Sequence, residues 1–242
     1  FNPASEAIIV SDDGITGNNM SRIDSDFGEL LDFTHPTIGL VIRGAGGDDV
    51  ISINALDSLF PTIAMTIDGE IGDDTVHLNT TVSHSQLTVT AETINVTAAV
   101  TVTAAGATLT SVDGITFTGG SLDVGANTAS LTASLGSITG TDGGPVDITA
   151  GTINLTVGGA GSNIGTSAAD RLEVDATTLN ATTGGDVGDD VFLEDLVGGV
   201  TIGQIDAGSA NVSISSTGQL VEDGDPDVDV IANLLTADAV TT

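Results

Sequence analysis

The sequence predicts an all-β fold, a single elongated right-handed parallel β-helix (β-solenoid) with coils of about 25 residues. Three observations predict it: an internal repeat at that step, short alternating apolar runs that end in Gly/Asp turns, and a composition that leaves the core without large aromatic anchors. The stretch 40–53, LVIRGAGGDDVISI, returns at 65–78 as MTIDGEIGDDTVHL. Ile42 and Ile67, Gly44 and Gly69, Asp49 and Asp74, and Ile53 and Leu78 each lie 25 residues apart. In the first copy Leu40 and Ile42 precede the glycines and Ile51 and Ile53 follow them, the period-two pattern of two short strands flanking a turn. A sandwich or a barrel shares that pattern. A constant step instead suits coils that each bury a narrow apolar row against the next. Right-handedness follows the rule for parallel crossovers. Stacked at about 4.8 Å per rung, such coils make a rod a few nanometres long.

A second pattern runs through the later sequence: an apolar residue, a spacer, Ala, two spacers, Ile or Leu, a spacer, then a small or apolar residue. It occurs at 89–96 (Val89, Ala91, Ile94, Val96), at 148–155 (Ile148, Ala150, Ile153, Leu155) and at 174–181 (Val174, Ala176, Leu179, Ala181), with a weaker copy at 230–237. The steps between copies are 59, 26 and 56 residues, near one or two coils with loop insertions. One continuous solenoid segment over residues 1–242 is expected, with Asp-rich turn coils over 1–82, Thr/Ala/Val-rich coils over 83–157 and coils with longer loops over 158–242.

Composition narrows the function. There are 34 acidic residues against three basic ones, a formal net charge of −31, so nucleic acid and anionic membrane surfaces are excluded as partners. Hydrophobic residues make up 40% of the chain, enough to separate it from an acidic disordered tail. Cysteine is absent, which removes disulfides and thiolate chemistry. No apolar run approaches the roughly 20 residues of a membrane-spanning helix, so membrane insertion is not expected. The chain opens on Phe1 without a signal-like segment and reads as a mature or excised piece. The strand-like stretch 228–235 near its other end reads as a coil that stacks on a neighbour or on more of the same chain.

The sharpest local motif is G-x-x-G-D-D, at Gly44–Asp49, Gly69–Asp74 and Gly185–Asp190. Stacked turns of this kind bring carboxylates a rung apart, where like charges raise one another's pKa or call for a cation. Calcium takes hard oxygen ligands in flexible number, and glycine turns expose carbonyls beside the carboxylates. Asp48, Asp49, Asp73, Asp74, Asp189 and Asp190, with Gly44, Gly69 and Gly185, are therefore the candidate calcium (Ca2+) ligands, and Asp68 and Glu70 are candidates to complete the shell. The same residues also read as ordinary solvated turns. The acidic run 222–229 fails as an EF-hand, because Leu234 stands where a bidentate Glu is required, and it reads as an exposed loop, with a weak surface ion site as the alternative.

Catalysis is not expected. Arg22, Arg43 and Arg171 are the only permanent cations, His35, His77 and His84 are scattered, and no Trp or Tyr offers a sugar platform. T-x-T pairs, among them Thr88/Thr90 and Thr108/Thr110, suggest an ice-binding face. They keep no constant spacing along the chain, and threonine is also an ordinary outward strand residue.

The G-x-x-G-D-D turns resemble the RTX nonapeptide, with Ala45, Glu70 and Asp186 replacing its second glycine. The stretches GTINLTVGGAGSNIGTS, RLEVDATTLNATTGGDVGDDVFLED and VTIGQIDAGSANVSISSTGQLVEDGD resemble the repeats of giant bacterial exoproteins related to filamentous haemagglutinin. The resemblance implies a secreted or cell-surface β-helix that serves as a rod in adhesion or matrix, and it implies no catalytic residue. The function expected is thus a structural segment of an extracellular or cell-surface fibre. Its coils stack end to end with a second copy or within a longer parent chain. A calcium-dependent adhesin binding module is the alternative, and a polysaccharide-degrading β-helix enzyme is the lesser one.

Overall fold

The computed structural model describes residues 4–28, 30–141 and 143–239. It is an all-β solenoid of about nine turns with stacked parallel strands. Three faces form as successive coils pair. Face 1 stacks Gly39–Arg43, Ala64–Asp68, residues 86–91 and 107–111, Thr128–Ala133, residues 152–157 and 178–182, and Gly199–Asp206. Face 2 stacks Ala7–Asp12, Val50–Ile53, Thr75–Leu78, residues 93–96 and 114–117, Ser137–Thr139, Ile164, Val191–Asp195, Asn211–Ser216 and Leu234–Ala239. Face 3 stacks Val82–His84, Ala99–Val102, Ser121–Asp123, and residues 148–150 and 172–176.

Alternation decides which residues enter the core. On face 2 the inward column runs Ile8, Ile51, Val76, Ile94, Ile115, Ile138, Ile164, Val191 and Val212, each paired with the next. All nine are buried. Each such side chain contributes roughly 1.5–3 kcal/mol on burial, so a long aliphatic column replaces the aromatic anchors that the sequence lacks. The column ends on Leu235, which pairs with Val212 and is 48% exposed.

The coil length averages about 23 residues, not 25. The 25-residue offset is exact where it was read, with Val50 on Thr75 and Gly39 on Ala64. Elsewhere Thr75 pairs with Thr93 and Ile164 with Val191, because loops at the corners shorten or lengthen the coil while the strands keep their register. The apolar-x-Ala pattern marks a corner, with Ala91, Ala150 and Ala176 buried where the chain bends. It does not mark one particular corner. Ile148 stacks on Val174 across face 3, whereas Val89 lies on face 1 and stacks on Leu109.

Near the start of the chain, within the Asp-rich coils of 1–82, the strand direction changes. Ala7–Asp12 is a parallel rung on Val50–Ile53, but Met20–Ser25 pairs antiparallel with it, and Leu30–Thr34 antiparallel with Met20–Ser25. Four residues separate the second and third strands. A connection that short can close a hairpin and cannot make the crossover that parallel strands require.

Candidate functional site

The acidic turns sit at the corner where face 1 passes into face 2. The Glu6 N–H donates to Asp49 Oδ1, the Asp49 N–H to Asp74 Oδ1, and the Asp74 N–H to Glu92 Oε2, each at 2.8 Å. Each carboxylate thus satisfies the backbone of the acidic residue one coil back. Asp49 and Asp74 are fully buried and Glu6 nearly so. One oxygen of each, Glu6 Oε2, Asp49 Oδ2 and Asp74 Oδ2, is buried without a hydrogen-bond partner.

The glycine five residues upstream explains where those oxygens lie. A Cβ on Gly44 would stand 2.5 Å from Asp49 Oδ2, and one on Gly69 would overlap Asp74 Oδ2. The carboxylate packs on a bare Cα, so the Gly and the Asp of the motif act as one unit. Burial pushes the pKa of Asp49 and Asp74 up, and neighbouring carboxylates add to the rise for both, against the lowering effect of the backbone N–H bonds. At the second turn position, Ala45 and Glu70 take left-handed backbone with φ of 80° and 71°, a conformation costly for residues other than glycine.

The third copy of the motif is displaced by one residue from the frame read in the sequence. Gly184, not Gly185, faces the buried carboxylate of Asp189, and Gly185 takes the left-handed position of Ala45 and Glu70. Asp189 Oδ1 accepts the Gly161 N–H and its Oδ2 accepts the Asp186 N–H. Asp190, half-buried, accepts both the backbone and the side-chain N–H of Asn211. The calcium candidates therefore divide. Asp49, Asp74 and Asp189 are inner groups committed to backbone N–H donors, while Asp48 and Asp73 are exposed and form an outer column in which Asp48 Oδ1 accepts the Asp73 N–H. Of the shell candidates, Asp68 accepts the Glu70 N–H and Glu70 pairs with Arg43 at 3.4 Å.

Among the described residues, the acidic or histidine groups whose ligand atoms converge within 4.8 Å are Glu222, Asp223 and Asp229, in the acidic loop offered as an exposed loop or a weak ion site. Other polar groups were missed in the sequence. Asp147 is buried with its pKa pushed up to about 7 by desolvation, although it accepts the Glu173 N–H. His84 points into the core, where burial brings its pKa down to about 4 and leaves Nδ1 without a partner. Asp57 is anchored by the N–H groups of Leu59, Gly17 and Asn18, which outweigh its burial and hold its pKa down. A groove of about 980 Å³ runs beside face 1, lined by Thr149, Thr178, Thr201 and several glycines, with Asp175 as its one ionisable side chain. Its chemistry is that of hydroxyls and backbone.

The fold and this corner define the class: a β-solenoid whose coils are tied by a ladder of buried acidic side chains. No protein-family model matches the chain, and neither a curated protein nor a solved structure matches it.

Proposed function

We propose that the chain is a non-catalytic structural segment of an extracellular or cell-surface fibre, in which coils stack end to end with another copy or within a longer chain. The observation that carries this reading is the last rung. Leu234–Ala239 is exposed along its whole length, and Leu234 and Leu235 leave apolar surface where the inward column of face 2 would continue. Among the described residues its outer edge meets no further strand, and an open edge with apolar side chains is a template for one. Kinship with the filamentous-haemagglutinin-like exoproteins belongs to the same proposal, supported by the solenoid and its degenerate repeats.

Calcium is a secondary part of the reading. The inner carboxylates are buried and each holds a backbone donor on one oxygen, so the ions would fall to the outer Asp48 and Asp73 and to the loop of Glu222, Asp223 and Asp229. Negative-stain microscopy of the purified chain, with millimolar calcium and then with excess EGTA, tests both parts. Rods or fibres that lose contacts in Leu235→Lys support stacking at the last rung. Compact single particles in every condition overturn the fibre in favour of the adhesin module or the enzyme. Fibres indifferent to EGTA remove calcium alone.

A further inference from the structure

Two of the T-x-T pairs, Thr88/Thr90 and Thr108/Thr110, stack in register on face 1, and the coils that follow extend their rows with threonines not paired in the sequence. On face 1, Thr90, Thr110, Thr132, Thr156 and Thr182 form one outward row, each paired with the next coil. A second row, Thr128, Thr152, Thr178 and Thr201, lies four residues earlier on the same strands. Between them runs a third row: Thr88, Thr108, Ser130, Asn154 and Asn180. The rungs thus read Thr-Ser-Thr at 128–132, Thr-Asn-Thr at 152–156 and Thr-Asn-Thr at 178–182. Loop length varies at the corners, which is why chain spacing hid the array.

This face differs from the rest of the molecule in charge. From residue 86 to residue 182, every outward side chain of face 1 is Thr, Ser, Asn or Gln, in a chain of net charge −31. The nearest carboxylates in these rows, Asp68 and Asp206, stand on the rungs at its two ends. The middle row is also fixed: Asn180 Nδ2 donates to Asn154 Oδ1 at 2.9 Å, and the Gln204 N–H donates to Asn180 Oδ1 at 3.0 Å. Rungs repeat at about 4.8 Å, and neighbouring rows stand about 6.6 Å apart along a strand.

We propose that face 1 is an ice-binding surface, recognising the ordered water of ice through its threonine rows. Ice is an uncharged lattice, so a charged group, which orders its own hydration shell, is out of place against it. A complementary surface must be uncharged, rigid and repeated at a lattice-like step, with methyl and hydroxyl groups alternating. The stacked threonines supply all four. A polysaccharide surface fits less well, because the chain has no Trp or Tyr to cover a sugar ring. The inference is independent of end-to-end stacking, since it uses a side face and not an end.

The test is partition of the purified chain into slowly growing ice, with thermal hysteresis measured on the same samples. The wild type is expected to enter the ice. Thr110→Lys and Thr156→Lys, both on exposed residues of the first row, are expected to lose partition and hysteresis with unchanged melting curves. Thr101→Lys, on face 3, is expected to keep both. Should lysine prevent folding, Thr110→Ala and Thr156→Ala remove the same methyl and hydroxyl groups without adding charge, and the same loss is expected. A folded wild type that stays in the liquid overturns the proposal. So do equal losses in Thr101→Lys, or binding to crystalline cellulose or chitin without binding to ice.

Discussion

The corner between faces 1 and 2 solves one problem with two chemistries. In the first half of the rod, Glu6, Asp49, Asp74 and Glu92 form the ladder, and the side chains of Asp49, Asp74 and Glu92 each accept from the coil before. In the second half the acceptors are Ser137 Oγ, Asn163 Oδ1 and Asp190 Oδ1, and each accepts from the coil after it. Asn233 then donates from its side chain to Asn211 Oδ1. The backbone N–H at a bend has no strand partner and requires an acceptor in either case. A carboxylate and an amide both serve, but only the carboxylate carries a charge into a dry site. The rungs of Asp49 and Asp74 are thereby sensitive to pH, as those built on Ser137 and Asn163 are not.

The largest effect that would break this comparison is steric. Gly69→Ala drives a methyl into the buried Asp74 carboxylate, and a loss of about 3 kcal/mol is expected in denaturant unfolding. Its counterpart Gly184→Ala, where the contact to Asp189 is a looser 2.8 Å, is expected to cost less. Next comes Asp147. An acid whose folded pKa is raised contributes stability that is present below its unfolded value and lost as pH rises through the folded one. Between about pH 4 and 7 the wild type should therefore lose about 3 kcal/mol at this residue, and Asp147→Asn should not.

His84 works in the opposite direction. Its folded pKa lies below the unfolded value, so its contribution is present above about pH 6.5 and lost as pH falls toward 4. A loss of about 3 kcal/mol is expected over that window and is to be absent in His84→Leu. Smaller still is Asn211→Ala in the second-half ladder, expected to cost about 1 kcal/mol with no dependence on pH between 5 and 8. The smallest effect belongs to the exposed pair of Arg22 and Asp32 at 2.6 Å, where Arg22→Ala is expected to leave the melting curve unchanged.

How much of this was legible in the sequence follows from what each pattern encodes. Repeats 40–53 and 65–78 showed the solenoid because both turns had equal length, so register and chain spacing coincided. Where corners gain or lose residues, as between Thr75 and Thr93, the two separate and only the stacking reveals the rows. The threonine array was hidden for that reason. The strands Met20–Ser25 and Leu30–Thr34 pair antiparallel, and a strand-like residue pattern carries no strand direction; only the shortness of the sequence between them held the signal. The G-x-x-G-D-D motif located the acidic corner but not the depth of each carboxylate. Asp48 and Asp49 are neighbours in the turn before Val50–Ile53, and one is exposed while the other is buried.

The most direct test of the ladder is thermal unfolding of the wild type and of the Asp49→Asn/Asp74→Asn double variant from about pH 3 to pH 8, a range that spans the ordinary aspartate value near 4. Asn keeps the acceptor for the Glu6 and Asp49 N–H groups and removes the buried charge. Both aspartates have raised folded pKa values, so the wild type is expected to lose stability relative to the variant as pH rises through this range. A wild type that keeps pace with the variant, or gains on it, as pH rises would contradict a ladder built from desolvated carboxylates.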